Sequence, residues 1–374
     1  MVVFLDLKAS FDSVDREILW QCPSLRGVPQ KYINLVKALY SNTTSRVRAY
    51  GELSSAFATS SGVRQGCPLS PFSFNFIIDL LVEITFSSTE FSCINLLPGG
   101  PLIDLEYADD IVLFGEDADK MQSLLIAPSN NVRMFGMRFS PPLKCKLLLQ
   151  DWSASTPELR IGSEVVERVD NFTYLGSLIS PNELVSDEIS TRIRKARLAF
   201  ANLRHLWRRR DIRLSIKGRV YCAAVRSVLI YGSETWPLRV EDTRKLLVFD
   251  HRCLRNIAGI YWDHRVSNSE VRRRVLWNDG KSVDEVVNLH RLRWLSHLLR
   301  MPEHRLPRCA MLIDVGDGWK KVRGGQTKTW HQCLESLTSG LSHVGRCRLL
   351  GWGSRDYRNQ WLETLGDMAR NRSQ

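Results

Sequence analysis

The chain has 374 residues, of which 44% are hydrophobic and 25% charged, and its formal net charge is +12. This length accommodates two or three domains with a sizeable core. Polar residues interrupt its most apolar long stretch, residues 72–86, so the sequence predicts no membrane span. The nine cysteines show no C-x-x-C spacing and no signal peptide is recognisable, so we expect reduced thiols in an intracellular protein.

The charges are distributed unevenly along the chain. Residues 1–180 have 15 Lys and Arg against 20 Asp and Glu, whereas residues 181–374 have 37 against 20. A basic surface attracts polyanions such as nucleic acids, and an acidic site needs cations before it accepts one. The balance therefore predicts a protein that handles nucleic acid, with an acidic half that needs cations to accept a polyanion and a basic half that binds its phosphates.

A strand followed by a helix is predicted at the start of the chain. Residues 2–5 are β-branched, aromatic or aliphatic, as is typical of a strand, and Asp6 stands near its end. Asp12 or Ser13 is then expected to cap a helix that runs through residues 18–20. This segment therefore presents one carboxylate at the end of a strand.

A glycine-rich loop that leads into a helix is predicted over residues 61–79. Gly62 and Gly66 allow positive φ or a close approach of the backbone, and Ser70 is a candidate helix cap. Taken alone, Gln65 in this loop reads as a solvated polar residue. Such a loop is nevertheless suited to seating a nucleotide or a template base.

A β-hairpin that carries two adjacent carboxylates is predicted over residues 102–117. Apolar residues flank Tyr107-Ala108-Asp109-Asp110 on both sides, so Asp109 and Asp110 are expected at the tip. Taken alone, both are ordinary turn residues. If the first strand lies beside this hairpin, however, Asp6 joins them, and three carboxylates can hold two Mg²⁺ ions about 3.5–4 Å apart. The pattern predicts phosphoryl or nucleotidyl transfer.

Five motifs in this order resemble the palm of reverse transcriptases encoded by non-LTR (LINE-like) retrotransposons. The match is dense over residues 1–180 and looser in the basic region beyond. The fifth motif resembles the hairpin that grips the primer in that family. The motifs are FLDLKASFD (4–12), GVRQGCPLSPF (62–72), YADD (107–110), GMRFSPPLKCK (136–146) and FTYLGSLIS (172–180).

The resemblance implies a metal site at the matching carboxylates. Asp6 and Asp109 would be the principal ligands of two Mg²⁺ ions, with Mn²⁺ as an alternative. Asp110 would be a supporting carboxylate, and the carbonyl of Leu7 would lie nearby. The expected substrate is a dNTP.

Further roles follow from the same resemblance. Phe11 would exclude ribonucleotides by closing against the sugar 2′ position, although taken alone it reads as a core residue. Gln65 and Gly66 would line the incoming dNTP and the template base. Lys144 is expected to protonate the departing pyrophosphate. Lys146 is a rival, because residues 142–143 look like a one-residue insertion.

The basic half is predicted to be helical. Residues 187–210 carry an apolar stripe at steps of three and four, and arginines including Arg192 on the other faces. This segment is interpreted as a thumb helix that grips a duplex, or alternatively as a solvated helix face. The tryptophans of the tail would stack on bases or fill a small core. Further helices are predicted over 214–231, 241–258, 282–300, 326–338 and 356–370.

The predicted fold class is α+β. Residues 1–180 would form a polymerase palm, an antiparallel sheet backed by helices, followed by a basic helical thumb (181–314) and a small Trp- and Gly-rich C-terminal region (315–374). Only five residues precede Asp6. We therefore expect a chain truncated at its N-terminus, with the fingers and the endonuclease missing as other parts of one polyprotein.

The predicted function is RNA-directed DNA polymerase, with an RNA template and a DNA primer or target as partners. The use of chromosomal targets by this family implies access to the nucleus, and no membrane partner is expected. One alternative is a catalytically inactive remnant that binds nucleic acid. Another is an RNA-dependent RNA polymerase, against which Phe11 argues.

Overall fold

The computed structural model describes most of the chain, in two compact units. The units are Met1–Phe172 and Thr173–Gln374. No helix among the described residues is long and apolar enough to cross a membrane. The described residues are 1–86, 94–97, 100–140, 144–150, 152, 155–180, 185–261, 264–277, 280–312, 329–341, 343–344, 347–352 and 360–370.

The first unit combines a central sheet with helices and small hairpins. In chain order its elements are β1 (Val2–Asp6), α1 (Ser10–Ser13), α2 (Arg16–Leu25), α3 (Gln30–Tyr40), β2 (Thr44–Ser45), β3 (Arg48–Ala49), β4 (Glu52–Leu53), β5 (Phe57–Ala58), α4 (Ser70–Phe86), β6 (Ile94–Leu97), β7 (Gly100–Leu102), β8 (Asp104–Tyr107), β9 (Asp110–Phe114), α5 (Ala118–Met134), β10 (Lys146–Leu148), β11 (Arg160–Ile161), β12 (Glu164–Val165) and β13 (Glu167–Val169).

The central sheet has the strand order β13–β10–β1–β9–β8. Strand β1 pairs antiparallel with β9 and with β10, and β8 pairs antiparallel with β9. Only the edge pair β10–β13 of this sheet is parallel. Val3, Phe4 and Leu5 of β1 are buried, as its apolar sequence predicts for a strand in the middle of a sheet. The α+β fold class is confirmed, with one parallel pair added to the antiparallel sheet.

One hydrophobic core joins this sheet to its helices. Helix α4 packs against α2 and α5. Its residues Phe74, Ile77 and Leu81 recur at helical spacing and are fully buried, together with Leu113 of β9. The sheet that carries the carboxylates therefore rests on a rigid, well-packed layer.

The cap predicted for the first long helix is wrong. Residues Ser10–Ser13 form the separate short helix α1, and Val14 then adopts an extended conformation. The N-cap of α2 is Asp15, whose carboxylate accepts a hydrogen bond of 2.8 Å from the backbone N–H of Glu17. Asp12 and Ser13 are displaced from this role because the extended Val14 separates them from α2.

The second unit is mostly helical. Strand β14 begins at Phe172, the last residue of the first unit, and enters the second. The elements are β14 (Phe172–Tyr174), β15 (Ser177–Ile179), α6 (Val185–Asn202), α7 (Arg204–Arg208), α8 (Leu214–Tyr221), a π-helical turn (Cys222–Arg226), α9 (Ser227–Leu229), a 3₁₀ turn (Ser233–Thr235), α10 (Val240–Ala258), α11 (Asn268–Leu276), α12 (Val283–Arg300), α13 (Leu306–Leu312), α14 (Trp330–Thr338), a 3₁₀ turn (Ser339–Leu341), β16 (His343–Val344), β17 (Cys347–Arg348) and α15 (Gln360–Arg370).

The helix predicted over 187–210 is interrupted. It divides into α6 and α7 at Leu203, which leaves the helical conformation with φ −94° and ψ 12°. The indole N–H of Trp207 donates a 2.8 Å hydrogen bond to the carbonyl of Phe200. The same carbonyl also accepts a 3.3 Å hydrogen bond from the backbone N–H of Leu203, so it is fully paired where the helix is interrupted. Helix α11, whose buried residues are only Val271 and Val275, was not predicted.

The tail helices pack against α12 within the second unit. Trp330 and Trp361 are buried with Leu295 and Leu298 of α12, and the indole of Trp330 donates to the carbonyl of Glu234. For these two tryptophans the core alternative is therefore the correct one. Trp319 and the lysines beside it lie outside the described residues, and the proposed divisions at residues 180 and 315 remain predictions.

Candidate active site

Strand pairing places Asp6 directly opposite Asp110. The register of β1 with β9 pairs these two residues. The carbonyl of Asp6 accepts a 2.8 Å hydrogen bond from the N–H of Ser140, on the side away from β9. Asp6 and Asp110 are thus a non-hydrogen-bonded antiparallel pair, in which Cα atoms lie about 4.5 Å apart and side chains share one face. Two carboxylates meet where the strands end.

Asp109 occupies the turn between β8 and β9. Tyr107 pairs with Asp110, so Ala108 and Asp109 form a two-residue hairpin loop. Ala108 has a φ of 57°, which residues with a side chain seldom adopt. The hydroxyl of Ser10, a buried residue, donates a 2.7 Å hydrogen bond to Oδ2 of Asp109. The third carboxylate is therefore held in position from helix α1.

The carboxylate of Asp6 has two partners of its own. Its Oδ2 accepts a short hydrogen bond from the hydroxyl of buried Ser140. The same oxygen lies 3.3 Å from Nζ of Lys144, which is two-thirds exposed. Lys146 instead pairs with Glu167 on the neighbouring strand β13. Of the two candidate lysines, the structure brings Lys144 to the carboxylates, while residues 141–143 lie outside the described part of the chain.

The backbone of Leu7 also faces the hairpin. Leu7 forms an isolated bridge with Phe139, but the hydrogen bonds across it come from the backbone of Asp6 and Lys8. Because successive residues of a strand direct their carbonyls to opposite sides, the carbonyl of Leu7 is directed toward β9. Leu7 itself is buried.

The carboxylates interact electrostatically as well. Partial burial, followed by the charges of Asp109 and Asp6, raises the pKa of Asp110 above its usual range. Nearby on β8, burial, a hydrogen bond with Asp104 and the charges of Asp104 and Asp79 raise the pKa of Glu106 to about 8. A cation beside Asp110 would therefore be stabilised, whereas Glu106 lies on the opposite face of the sheet and interacts with Asp104 and Asp79.

The donor set suits a hard divalent cation. Carboxylate oxygens are the ligands that Mg²⁺ and Mn²⁺ prefer. Among the residues that the structure describes, no three acidic, histidine or cysteine side chains are grouped closely enough to enclose an ion. Asp6 and Asp109 instead accept hydrogen bonds from Ser140, Lys144 and Ser10. The residues fit the metals chemically, and these contacts orient the carboxylates of Asp6 and Asp109.

The glycine-rich loop docks on helix α1 through its backbone. Val63 N–H donates a 2.6 Å hydrogen bond to the carbonyl of Phe11. A Cβ on Gly62 would lie 2.7 Å from the carbonyl oxygens of Phe11 and Asp12, so only glycine allows this approach. Phe11 is half-buried and stacks on Phe74 at 4.7 Å between ring centroids. The loop and the aromatic candidate therefore form one packed wall.

Gln65 and Gly66 lie at the open end of this loop. Both are exposed. The amide of Gln65 reaches Asp12 at 3.4 Å, at the limit of hydrogen bonding. Gly66 has a φ of 82° and open space beside it. Both residues are thus accessible to a ligand.

The hairpin β14–β15 is tightly attached within the second unit. Its turn residues Leu175 and Gly176 have φ values of 46° and 82°. The hydroxyl of Tyr231 donates a 2.8 Å hydrogen bond to the carbonyl of Leu175, and the Tyr231 ring would lie 3.4 Å from a Cβ on Gly176. The turn is therefore fixed by a residue 56 positions away in the sequence.

A buried ion pair supports the same hairpin. Nε of Arg192 lies 2.6 Å from Oε1 of Glu188, and both residues are buried. Glu188 also accepts a 2.7 Å hydrogen bond from the N–H of Leu178, and Arg192 donates to the carbonyl of Gly176. The guanidinium stacks over the Tyr231 ring at 4.4 Å. Arg192, expected on an exposed basic face, is instead buried because it satisfies these partners.

Three residues that make these contacts within the two units escaped sequence reasoning. Ser10 and Ser140 contact the carboxylates, and Tyr231 fixes the hairpin. Ser10 and Ser140 lie inside motifs, yet nothing in a single sequence distinguishes a serine that bonds a distant carboxylate from a solvated one. Tyr231 carries no local signal, because its partner is remote in sequence.

A sheet with carboxylates at the ends of adjacent strands, backed by helices, defines the palm of a nucleic-acid polymerase. Residues 1–179 match the family model of reverse transcriptase (RNA-dependent DNA polymerase), and this part of the chain is a reverse transcriptase domain. The reverse transcriptase predicted from the five motifs is confirmed for this domain. RNA-directed DNA polymerase is the activity that defines the family.

Curated relatives are polyproteins of retrotransposable elements. The Pol polyprotein of the type-2 element R2DM from Drosophila melanogaster is 26% identical over 185 residues, 46% of this chain and 17% of that protein. Those of type-1 R2 elements from Nasonia vitripennis and Popillia japonica are 27% and 26% identical, over 47% and 48% of this chain. The match spans 17% and 28% of their lengths.

Among solved structures, telomerase from Candida albicans, in complex with a fragment of telomeric RNA, is similar to this chain. The likeness covers 79% of this chain and 47% of that one, with a TM-score of 0.26 and 12% sequence identity.

Proposed function

We propose that this chain is the polymerase part of an R2-like non-LTR retrotransposon protein, and that it copies RNA into DNA. A primer 3′-hydroxyl would attack the α-phosphorus of a dNTP, forming a new O–P bond and breaking the bond to the departing pyrophosphate. The observation that carries the proposal is the register of Asp6 opposite Asp110, with Asp109 in the adjoining turn, inside the matched domain.

Asp6 and Asp109 would be the principal metal ligands, with Asp110 as a supporting carboxylate and the carbonyl of Leu7 beside them. When bound, two Mg²⁺ or Mn²⁺ ions would activate the primer hydroxyl and stabilise the leaving oxygen. Ser10 and Ser140 orient the carboxylates through their hydroxyls. The raised pKa of Asp110 supports this assignment, since crowded carboxylates favour a bound cation.

Lys144 is the proposed general acid. Its ammonium would donate a proton to the pyrophosphate oxygen as the P–O bond breaks. Its position 3.3 Å from Asp6 supports the choice, as does the engagement of Lys146 with Glu167. The large exposed fraction of Lys144 leaves it free to turn toward a triphosphate.

Phe11, Gln65 and Gly66 would form the nucleotide pocket. Phe11 is half-buried and braced by Phe74, which makes it a rigid barrier against a ribose 2′-hydroxyl. Gln65 and Gly66 would line the dNTP and the template base, which agrees with their exposure. The hairpin β14–β15 would hold the primer terminus.

The proposed partners are an RNA template and a DNA primer or target, within a longer polyprotein like those of the relatives. Priming at a chromosomal target would require the protein to be intracellular with access to the nucleus. The competing proposal is a catalytically inactive remnant that only binds nucleic acid. The exposed cations of the second unit, described below, would serve either function.

The test is primer extension by the purified chain on poly(rA)/oligo(dT) with Mg²⁺ and dTTP. We expect extension that is lost in Asp109→Ala/Asp110→Ala and retained in Asp119→Asn, an exposed carboxylate outside the site. Equal extension by the double variant would refute the site assignment. Salt-sensitive binding of the duplex without extension by any variant would favour the remnant.

A further inference from the structure

A cleft in the second unit lies between helices α6 and α10. It encloses about 730 Å³, within the range of small-ligand sites, and both helices contribute to its walls. Its apolar surface comes from Ile193 and Phe200 on α6 and from Val248 and Phe249 on α10. Val248 is 44% exposed, so the apolar floor is accessible from solvent.

Cations surround this floor. Arg197 on α6 and Arg244, Lys245 and Arg252 on α10 line the cleft, with Glu241 as the acidic member. On α10, residues 244, 245, 248, 249 and 252 recur at steps of three and four, so its three cations and its apolar residues lie on one helix face. Together with Arg197 on α6, these three cations form one positively charged rim around the cleft.

Within the part of the chain that the structure describes, the side chains of these four cations form no hydrogen bond or ion pair. Other arginines of the same unit are engaged: Arg192 with Glu188, Arg226 with Asp250, and Arg273 with Glu270. Exposed, unpaired cations that converge around an apolar cleft present a surface complementary to an anion with apolar faces.

A single strand of nucleic acid has this chemistry. Its phosphates supply regularly spaced negative charge, and its unstacked bases expose flat apolar faces. A duplex keeps these faces stacked inside, so it would use the rim and leave the floor empty. An acidic peptide would use the rim, but its charged side chains gain nothing from the floor.

We propose that this cleft binds a single-stranded segment of RNA or DNA. Phosphates contact the four cations, and a base lies against Phe200 and Val248. The site belongs to the second unit, outside the matched domain, and the proposal does not require the chain to polymerise DNA.

The first test measures binding of a fluorescein-labelled single strand of about 12 nucleotides, RNA or DNA, by fluorescence anisotropy across a salt series. The full chain carries Asp109→Ala, so catalysis plays no part. Arg244→Gln/Lys245→Gln/Arg252→Gln should weaken binding at least about tenfold and reduce the salt slope by about 2, because each lost phosphate contact removes about 0.7.

The matched control removes three cations from the same unit. Arg209→Gln/Arg273→Gln/Arg274→Gln lowers the net charge equally, at exposed positions that are already paired with acidic residues. We expect less than about a twofold change in binding from this variant. If both triple variants lose the same binding affinity, the loss reflects the change in net charge, and the proposed binding site in the cleft is refuted. Arg197→Gln, on the opposite wall, should weaken binding even if the triple variant folds poorly.

A second test separates the floor from the rim. A strand with abasic sites keeps its phosphates and should bind wild-type protein about fivefold or more weakly, since each stacked base contributes substantially. Val248→Ser, which removes apolar surface without adding a charge beside the rim, should produce a similar loss for normal strands and little change for abasic ones. A blunt duplex that binds as tightly as the single strand, or poly-glutamate that displaces it at equal charge concentration, would overturn the proposal.

Discussion

The two units use their charged residues in opposite ways. In the first unit, the charges of Asp109 and Asp6 act on Asp110, and two hydroxyls and one lysine donate hydrogen bonds to Asp109 and Asp6. In the second unit, Arg192 and Arg226 are buried against acidic partners, while the cleft cations remain exposed. In the first unit, carboxylates repel one another, and a bound cation would reduce this repulsion. In the second unit, buried arginines stabilise the fold and exposed arginines are available to bind a polyanion. The net charge alone does not distinguish these two groups of arginines.

The largest expected effect lies in the acidic cluster. Asp6→Ala should lower the rate of primer extension by at least about 10³-fold, because a metal ligand contributes about 4 kcal/mol or more to the transition state. Duplex binding measured by anisotropy should stay within about twofold of wild type. If the Asp6→Ala chain extends primers at the wild-type rate, Asp6 is not a metal ligand in catalysis.

The buried ion pair of the second unit should matter for stability. Arg192→Met leaves the Glu188 carboxylate buried without its partner, which should lower the free energy of unfolding by about 3–5 kcal/mol. The exposed neighbour Arg194→Met should change it by less than about 0.5 kcal/mol. Urea denaturation measures both, and Glu188→Gln/Arg192→Met should recover part of the loss. Equal effects at both arginines would remove the distinction between structural and exposed cations.

The hydroxyl that holds Asp109 should have a smaller catalytic effect. Ser10→Ala removes a hydrogen bond to a charged group, which contributes about 1.5 kcal/mol, so extension should slow by about tenfold. Ser13→Ala, on the same helix but without a carboxylate contact, is the control. A Ser10→Ala chain with an unchanged rate but a lower melting temperature would make this contact structural.

The last expected effect concerns the pH dependence of stability. The pKa of Glu106, raised to about 8, exceeds that of an unfolded glutamate near 4.5. The native protein therefore holds a proton that the unfolded chain releases, so this stabilisation is complete below about pH 4.5 and is lost as the pH rises through 8. Glu106→Gln should flatten the decline in unfolding free energy over this interval, and Glu164→Gln should not. If the unfolding free energy of Glu106→Gln falls with pH as steeply as that of the wild type, other titratable groups cause the decline.

Much of the fold follows from local sequence signals. The strand at residues 2–5, the YADD hairpin and helices α10 and α12 were all predicted, because their apolar patterns and turns act over a few residues. Signals fail where the pattern is short or mixed, as in α11, or where a helix is interrupted within one apolar stripe, as at Leu203 between α6 and α7. The cap at Asp15 was missed because the single extended residue Val14 ends α1 and starts a new helix, and no sequence pattern marks that break.

The sequence by itself determined the reverse transcriptase domain, the order of the motifs and the choice of carboxylates proposed for the site, because each is encoded in contiguous residues. Tertiary structure decided which lysine meets Asp6, which serines bond the carboxylates and which arginines are buried. Ser10 and Asp109 are 99 residues apart, and Ser140 and Asp6 are 134 apart. Contacts at such separations depend on strand register and helix packing, and a local pattern carries no record of them.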